Sequence, residues 1–168
     1  KIDRVVVVCP TDNLRRQWAS AASKIGIHLD AKWDAKDGGE TSDFHGVVIT
    51  YAQLQPRAII LRRLCRRATL YIFDEVHHAG EQNTWGDSVK DAAELAVVRL
   101  HLSGTPFRGY NKRIPFITYE DGRSRADFTY GYTDALNENV CRPVVFASYE
   151  GDLEWYSGDR VVTAKFGD

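Results

Sequence analysis

At 168 residues, with 43% hydrophobic and 27% charged side chains, the chain has the size and composition of about one soluble globular domain with a real core. A net charge of −1 excludes a polycation, so any nucleic-acid surface has to be a local patch. No apolar run approaches the ~18 residues of a membrane span, the opening residues lack a signal-peptide pattern, and the scattered Cys9, Cys65 and Cys141 form no CxxC pair, which argues against a zinc site or disulfide framework and fits a reducing, cytoplasmic setting.

The run Arg4-Val-Val-Val-Val-Cys9 is a short continuous apolar stretch, the pattern of a parallel strand buried on both faces. Pro10-Thr11-Asp12 follows, with Thr11 or Asp12 placed to cap a helix. Leu14, Trp18, Ala22 and Ile25 recur at helical spacing and predict an amphipathic helix over residues 12–25. Residues 30–45 are polar, carry Gly38-Gly39 and read as a loop, with a short strand around Ala31-Lys-Trp33. Gly46-Val-Val-Ile-Thr50 is the next buried strand, residues 57–67 the next helix and residues 69–73 the third strand. A helix over 84–95 and a strand at Val97-Val-Arg-Leu-His-Leu102 complete the alternation. Strands alternating with helices predict an α/β fold with a doubly wound, mainly parallel sheet. Beyond Phe107 the pattern weakens: residues 108–130 read as a loop or hairpin, 133–140 as one short helix, Pro143-Val-Val-Phe146 as a strand, and 147–168 as an edge strand or linker.

The stretch Thr69-Leu-Tyr-Ile-Phe-Asp-Glu-Val-His-His78 carries the chemistry. A buried strand runs straight into two carboxylates, at the carboxyl end where ligands of open α/β sheets bind. In nucleotide hydrolases such a pair serves Mg²⁺, with Asp74 holding the ion through its hydration shell and Glu75 orienting the attacking water. Asp-Glu closing a strand is equally readable as a mere polar terminus, and the neighbouring motifs decide between the two. At Pro10-Thr11 a strand turns into a helix, where free backbone N–H groups favour a phosphate. Thr11 as a plain N-cap is compatible with that role. Thr50-Tyr51 lies at another strand end facing the same side. The hydroxyls of Ser103 and Thr105, flanking Gly104, can reach back to His77 or Asp74. A plain β-turn before Pro106 is the alternative.

Four segments thus stand in order: Cys9-Pro-Thr-Asp-Asn-Leu-Arg-Arg-Gln-Trp18, Val48-Ile-Thr-Tyr-Ala-Gln-Leu54, Phe73-Asp-Glu-Val-His-His78 and Leu102-Ser-Gly-Thr-Pro-Phe-Arg108. The set resembles motifs Ia, Ib, II and III of the first RecA-like domain of superfamily 2 helicases and translocases, the DEAD/DEAH-box group in its DExH form, over residues 4–108. The stretch from Tyr130 to Phe146 resembles that domain's exit towards its partner. The resemblance implies a RecA-like sheet, incomplete at its N-terminal end, over residues 1–146, with 147–168 leading to a second RecA-like domain. It implies ATP as substrate and Mg²⁺ as cofactor. It makes Asp74, Glu75 and His77 catalytic, and Ser103 and Thr105 coupling residues. Pro10, Thr11, Arg15, Thr50 and Tyr51 become contacts to single- or double-stranded nucleic acid, DNA being the preferred reading.

One departure matters. The phosphate loop G-x-x-x-x-G-K-[ST] is missing: Gly104 and Gly109 have the glycine spacing, but Tyr110-Asn111 stands where Lys-Ser/Thr is needed. The chain has no methionine and begins at Lys1 directly before an apolar strand, so we expect a piece of a longer protein, with the phosphate loop upstream and motifs IV to VI downstream. The isolated chain is accordingly expected to be inactive. Rival readings are a motor in a restriction or nuclease complex, a RecA-like module that only binds, and a metal-dependent hydrolase built on Asp74, Glu75, His77 and His78. A basic stripe of Arg62, Arg63, Arg66 and Arg67 reads as a solvated outer face before it reads as a phosphate site.

Overall fold

The computed structural model describes residues 1–34, 43–80, 83–105, 114–145 and 151–166, and divides into two units, 1–125 and 126–168. The first unit is an α/β fold. Its sheet contains β1 (Arg4–Cys9), β2 (Leu29–Asp30), β3 (Gly46–Thr50), β4 (Thr69–Phe73) and β5 (Val98–His101). The order is β2-β3-β1-β4-β5, and every pairing is parallel. The strands expected at 4–9, 46–50 and 69–73 form with those bounds, and the last one is shorter by a residue at each end than the expected 97–102.

Alternation along these strands divides the core in two. Val6, Val8, Val47, Ile49, Tyr71 and Phe73 point to one face, where they meet Leu54, Leu61, Leu64, Val89 and Ala92. Val7, Cys9 and Val48 point to the other and meet Leu14, Trp18 and Ala22 of α1 (Asp12–Ser23). The first face is covered by α2 (Tyr51–Leu54), α3 (Ala58–Leu64) and α4 (Asn83–Ala93). Helices on both faces bury both sides of each central strand, which is why these strands read as unbroken apolar runs. Gly46 is required by packing: a Cβ there would collide with the carbonyl of Val5 on the paired strand.

The helix boundaries differ from expectation for local reasons. Gly26, at φ 79°, ends the α1 region early, so Ile25 is 76% exposed and Ile27 packs on the core in its place. The short strand beside β3 is Leu29–Asp30, two residues before the expected 31–33, and Trp33 is instead buried against the opposite core. The helix expected over 57–67 forms as α3, ending three residues early at Leu64, and is preceded by α2 and a 3-10 turn at Gln55–Arg57 that accommodates Pro56. Gly38-Gly39 lies outside the described residues, as do Pro106 to Arg108. Further on, β6 (Tyr119–Glu120) and β7 (Arg123–Ser124) form a hairpin. Its turn residues Asp121 and Gly122 both have positive φ, the requirement of a type I′ turn.

In the second unit, α5 (Tyr132–Asn137) ends at Asn139, which takes the left-handed conformation at φ 58°. No strand forms over residues 143–145; Pro143 has no N–H to give, and the amide of Val144 donates to the Tyr132 hydroxyl at 2.6 Å. Phe146 lies outside the described residues. The terminal stretch forms an antiparallel hairpin of β8 (Gly151–Ser157) and β9 (Arg160–Phe166), turned at Gly158-Asp159 with Gly158 at φ 63°.

Candidate functional site

The acidic loop leaves β4 at the sheet's carboxyl edge. The amide of Asp74 donates to Val8 O on β1 at 2.8 Å, and that of Val76 to Leu102 O beyond β5 at 3.0 Å. Between these anchors Glu75 takes φ 49°, a left-handed conformation uncommon for a non-glycine residue and costing about 1 kcal/mol or more. The bend lifts Glu75 off the strand direction, leaving its side chain 42% exposed. A buried Val76 locks the loop from below.

Three of the expected residues converge on one ring nitrogen of a fourth. His77 Nδ1 lies 3.3 Å from Glu75 Oε2, 3.0 Å from Ser103 Oγ and 3.5 Å from Thr105 Oγ1. The Thr105 amide donates to Ser103 Oγ at 3.1 Å, which ties the two hydroxyl residues together. One nitrogen makes one well-directed hydrogen bond at a time. The cluster can therefore exchange His77 between the acidic loop and the Ser103–Thr105 turn.

Asp74 is gripped from two elements. The Trp18 indole N–H of α1 donates to Asp74 Oδ2 at 2.8 Å, and the Tyr51 hydroxyl at the start of α2 donates to the Asp74 backbone oxygen at 2.9 Å. Burial, and then the Asp74 charge, raises the Tyr51 phenol above its ordinary value and pushes the Cys9 thiol up to about 11. Both groups therefore stay neutral beside the carboxylate. Trp18 was legible only as an apolar helix position; the usable signal was that a buried indole N–H needs an acceptor.

The residues expected to contact nucleic acid fare differently. Thr11 is exposed and caps α1, accepting from Leu14 N at 3.4 Å, beside half-buried Pro10. Arg15 is turned inward: it is 9% exposed, with Nε donating to Val48 O at 3.1 Å, a second bond to Asp12 at 2.8 Å and a third to Ala31 O. A guanidinium spent on core carbonyls does not offer itself to a phosphate. The side chains of Thr50 and Tyr51 are likewise withdrawn. Thr50 is 8% exposed and closes a capping box with Gln53, and Tyr51 is 1% exposed.

Arg62 of the basic stripe pairs with Glu94 at 2.8 Å, in keeping with a solvated face. The rings of His77 and His78 lie 4.5 Å apart between centroids, tilted by 33°. Among the described residues no cluster of three His, Cys, Asp or Glu side chains could hold a metal ion, so the hydrolase reading lacks its ligand set there. Asp74 does suit Mg²⁺, which is held by one or two carboxylates together with phosphates and waters. A carboxylate offers about four acceptor positions, so the single indole bond leaves capacity for a metal-bound water.

A family model described as type III restriction enzyme, res subunit, matches residues 1–108, which span the sheet, the acidic loop and the Ser103–Thr105 turn. The chain belongs to this family. The family is a helicase-like, superfamily 2 group. An uncharacterized protein of Mycobacterium tuberculosis, found in two strains, is 45% identical over 160 residues, and an uncharacterized protein of Mycobacterium leprae is 44% identical over 160. Each match covers 92% of this family member but 27% of the relative, so the chain spans about a quarter of the length of the curated relatives it matches. A match of 160 residues cannot fit within the first unit of 1–125, so likeness to these relatives extends into the second. No helix among the described residues is long and apolar enough to cross a membrane.

Proposed function

We propose that the chain is part of an ATP-dependent nucleic-acid motor, a DExH-type helicase or translocase of superfamily 2. The observation that carries the reading is the convergence of Glu75, Ser103 and Thr105 on His77 Nδ1, three residues from Asp74. Membership of a helicase-like family supports it. Asp74 would hold Mg²⁺ through a coordinated water, and Glu75, lifted by its bend, would orient the attacking water and accept its proton. Mg²⁺, when bound with ATP, neutralises charge on the phosphates. His77 reports the state of Glu75 to Ser103 and Thr105. Thr11, preceded by Pro10, which has no N–H to give, offers a backbone N–H at the start of α1 to a nucleic-acid phosphate, with DNA as the favoured polymer. Arg15, Thr50 and Tyr51 support that track from within rather than touching the strand.

The phosphate loop, the arginine finger and the second RecA-like domain belong to other parts of the full-length protein, and the chain alone is inactive. The test is nucleic-acid-stimulated phosphate release by the full-length protein. Glu75→Gln keeps the shape and loses the charge, so turnover should drop by about 10²-fold or more while ATP still binds. Near-normal turnover in that variant sinks the assignment.

The family's description favours a second reading, a motor in a restriction complex that pumps DNA without separating strands. A strand-displacement assay on the full-length protein separates the two: ATP consumption without displacement supports the second reading.

A further inference from the structure

We propose that Trp18 is a positioning residue for Asp74, tying the nucleic-acid-facing helix α1 to the carboxylate that holds Mg²⁺. This rests on the motor reading of Asp74. Three observations carry it. The indole N–H donates to Asp74 Oδ2 at 2.8 Å across 56 residues of sequence, and both side chains are partly buried, where a bond to a charged acceptor is at its strongest. Trp18 also sits in the α1 core with Leu14 and Ala22, so its ring moves with the helix and not independently of it. Finally, the same helix begins at the Thr11 cap, seven residues or about 10 Å of helix from Trp18.

The chemistry follows from which oxygen is engaged. A single donor on Oδ2 sets the carboxylate's rotation about its Cα–Cβ–Cγ bonds and aims Oδ1. The Tyr51 hydroxyl holds the backbone oxygen of the same residue, so main chain and side chain are clamped from separate elements. A shift of α1 on engaging a strand is passed by the indole to Asp74. Mg²⁺ affinity then depends on whether nucleic acid is bound, and by reciprocity nucleic-acid affinity depends on Mg²⁺–ATP. Nothing in this path needs the Arg15 side chain, which is fully committed inside the domain.

The test uses the full-length protein carrying Glu75→Gln, so that no ATP is consumed. Mg²⁺ is titrated against a fluorescent ATP analogue, and anisotropy gives the Mg²⁺ concentration at half-maximal binding. Trp18→Phe keeps an aromatic ring and removes the donor. It should raise that midpoint about ten-fold, with full binding restored at saturating Mg²⁺. An oligonucleotide that shifts the midpoint in the parent should leave it unmoved in the variant. A midpoint within two-fold of the parent overturns the proposal, as does a loss that excess Mg²⁺ does not restore or an unchanged oligonucleotide effect. If thermal melting shows Trp18→Phe to be unfolded, Tyr51→Phe decides instead. It deletes one hydroxyl and should move the midpoint about three-fold, and no movement counts against the clamp. Asp74→Ala in the same assay tells the two failures apart. If it abolishes the Mg²⁺ dependence while Trp18→Phe is silent, only the clamp is wrong. If Asp74→Ala is itself silent, the motor reading of Asp74 falls and takes the clamp with it.

Discussion

The acidic loop and the expected nucleic-acid track lie along the same carboxyl edge of one sheet, yet they spend their side chains in opposite ways. In the loop, Glu75, His77, Ser103 and Thr105 keep their polar ends at the surface and turn them on one another. Along the track, Arg15, Thr50 and Tyr51 turn theirs inward, to Val48 O, to Gln53 and to Asp74 O. In the first region three polar side chains share one ring nitrogen. The second is built to hold backbone in place. A motif that marks a binding edge therefore need not mark side chains that bind. Here the side chains around the helix starts are spent inside the domain, and Thr11 at the cap of α1 stays exposed. Four experiments can break or sharpen this contrast.

The largest effect concerns the loop's dependence on what the chain does not contain. The sequence has no Gly-rich loop followed by Lys-Ser/Thr, and an arginine finger alone is worth ~10³ or more in rate in related motors. Phosphate release by this chain should thus fall at least about 10³-fold below that of the full-length protein. Steady release by the pure chain, abolished by Glu75→Gln, would show that the loop is self-sufficient.

Next comes Arg15→Ala. It leaves the buried Val48 O and the partly buried Ala31 O without this donor, at about 1–3 kcal/mol for a buried unsatisfied group. We expect a loss of about 3 kcal/mol in unfolding free energy by denaturant titration. The salt dependence of DNA binding by the remaining folded protein should stay the same. A stable variant with a shallower salt slope would return Arg15 to the track and dissolve the contrast.

Ser103→Ala probes the loop's exchange of partners at a smaller scale. It removes the nearest hydroxyl to His77, at 3.0 Å, and leaves Glu75 beside the ring. Coupling energies between sites run to about 1–3 kcal/mol. DNA stimulation of phosphate release should drop about five-fold, with DNA-free turnover much less affected. Thr105→Ala, acting on a 3.5 Å contact, should do less. Equal losses with and without DNA would make Ser103 part of the reaction centre and not its link.

What was legible in the sequence divides along the same line. The buried strands, the order of the sheet elements and the acidic loop rest on local patterns: unbroken Val and Ile runs, then two carboxylates at a strand end. These patterns carry their own physical reason, since a strand covered on both faces has no polar position to spare. Two things depended on residues far apart in sequence and were not legible. Arg15 looks like an exposed helix arginine until β3 and Ala31 supply carbonyls to it. Trp18 looks like core until Asp74, on a different element, accepts its N–H. The broken helix after Thr50 was readable only in part: Thr50 with Gln53 is a capping-box spacing, and Pro56 marks the interruption. The β6–β7 turn carried its signal openly in Asp121-Gly122, yet a flank of only two residues on each side offered no strand pattern to go with it.

The smallest effect tests the track itself, using this chain and labelled single strands in fluorescence anisotropy. With Arg15 buried, the outward side chains at the start of α1 are Thr11, Asn13 and the acidic Asp12, which neutralise no phosphate. Few counterions are released by such a contact, so the salt slope should be near the ~0.7 expected of one neutralised phosphate, or shallower. Backbone contacts carry no base information, and scrambling the oligonucleotide should change affinity little. Thr11→Ala removes the cap that accepts from Leu14 N. It should cost about 1 kcal/mol of stability and weaken binding by about three-fold, because a frayed first turn no longer presents its amides. The opposing result is specific. A slope of about −2 or steeper, unmoved by Thr11→Ala but lost in Arg62→Ala and Arg66→Ala, would place the contact on the outer face of α3. The carboxyl edge would then keep its acidic loop and lose its track.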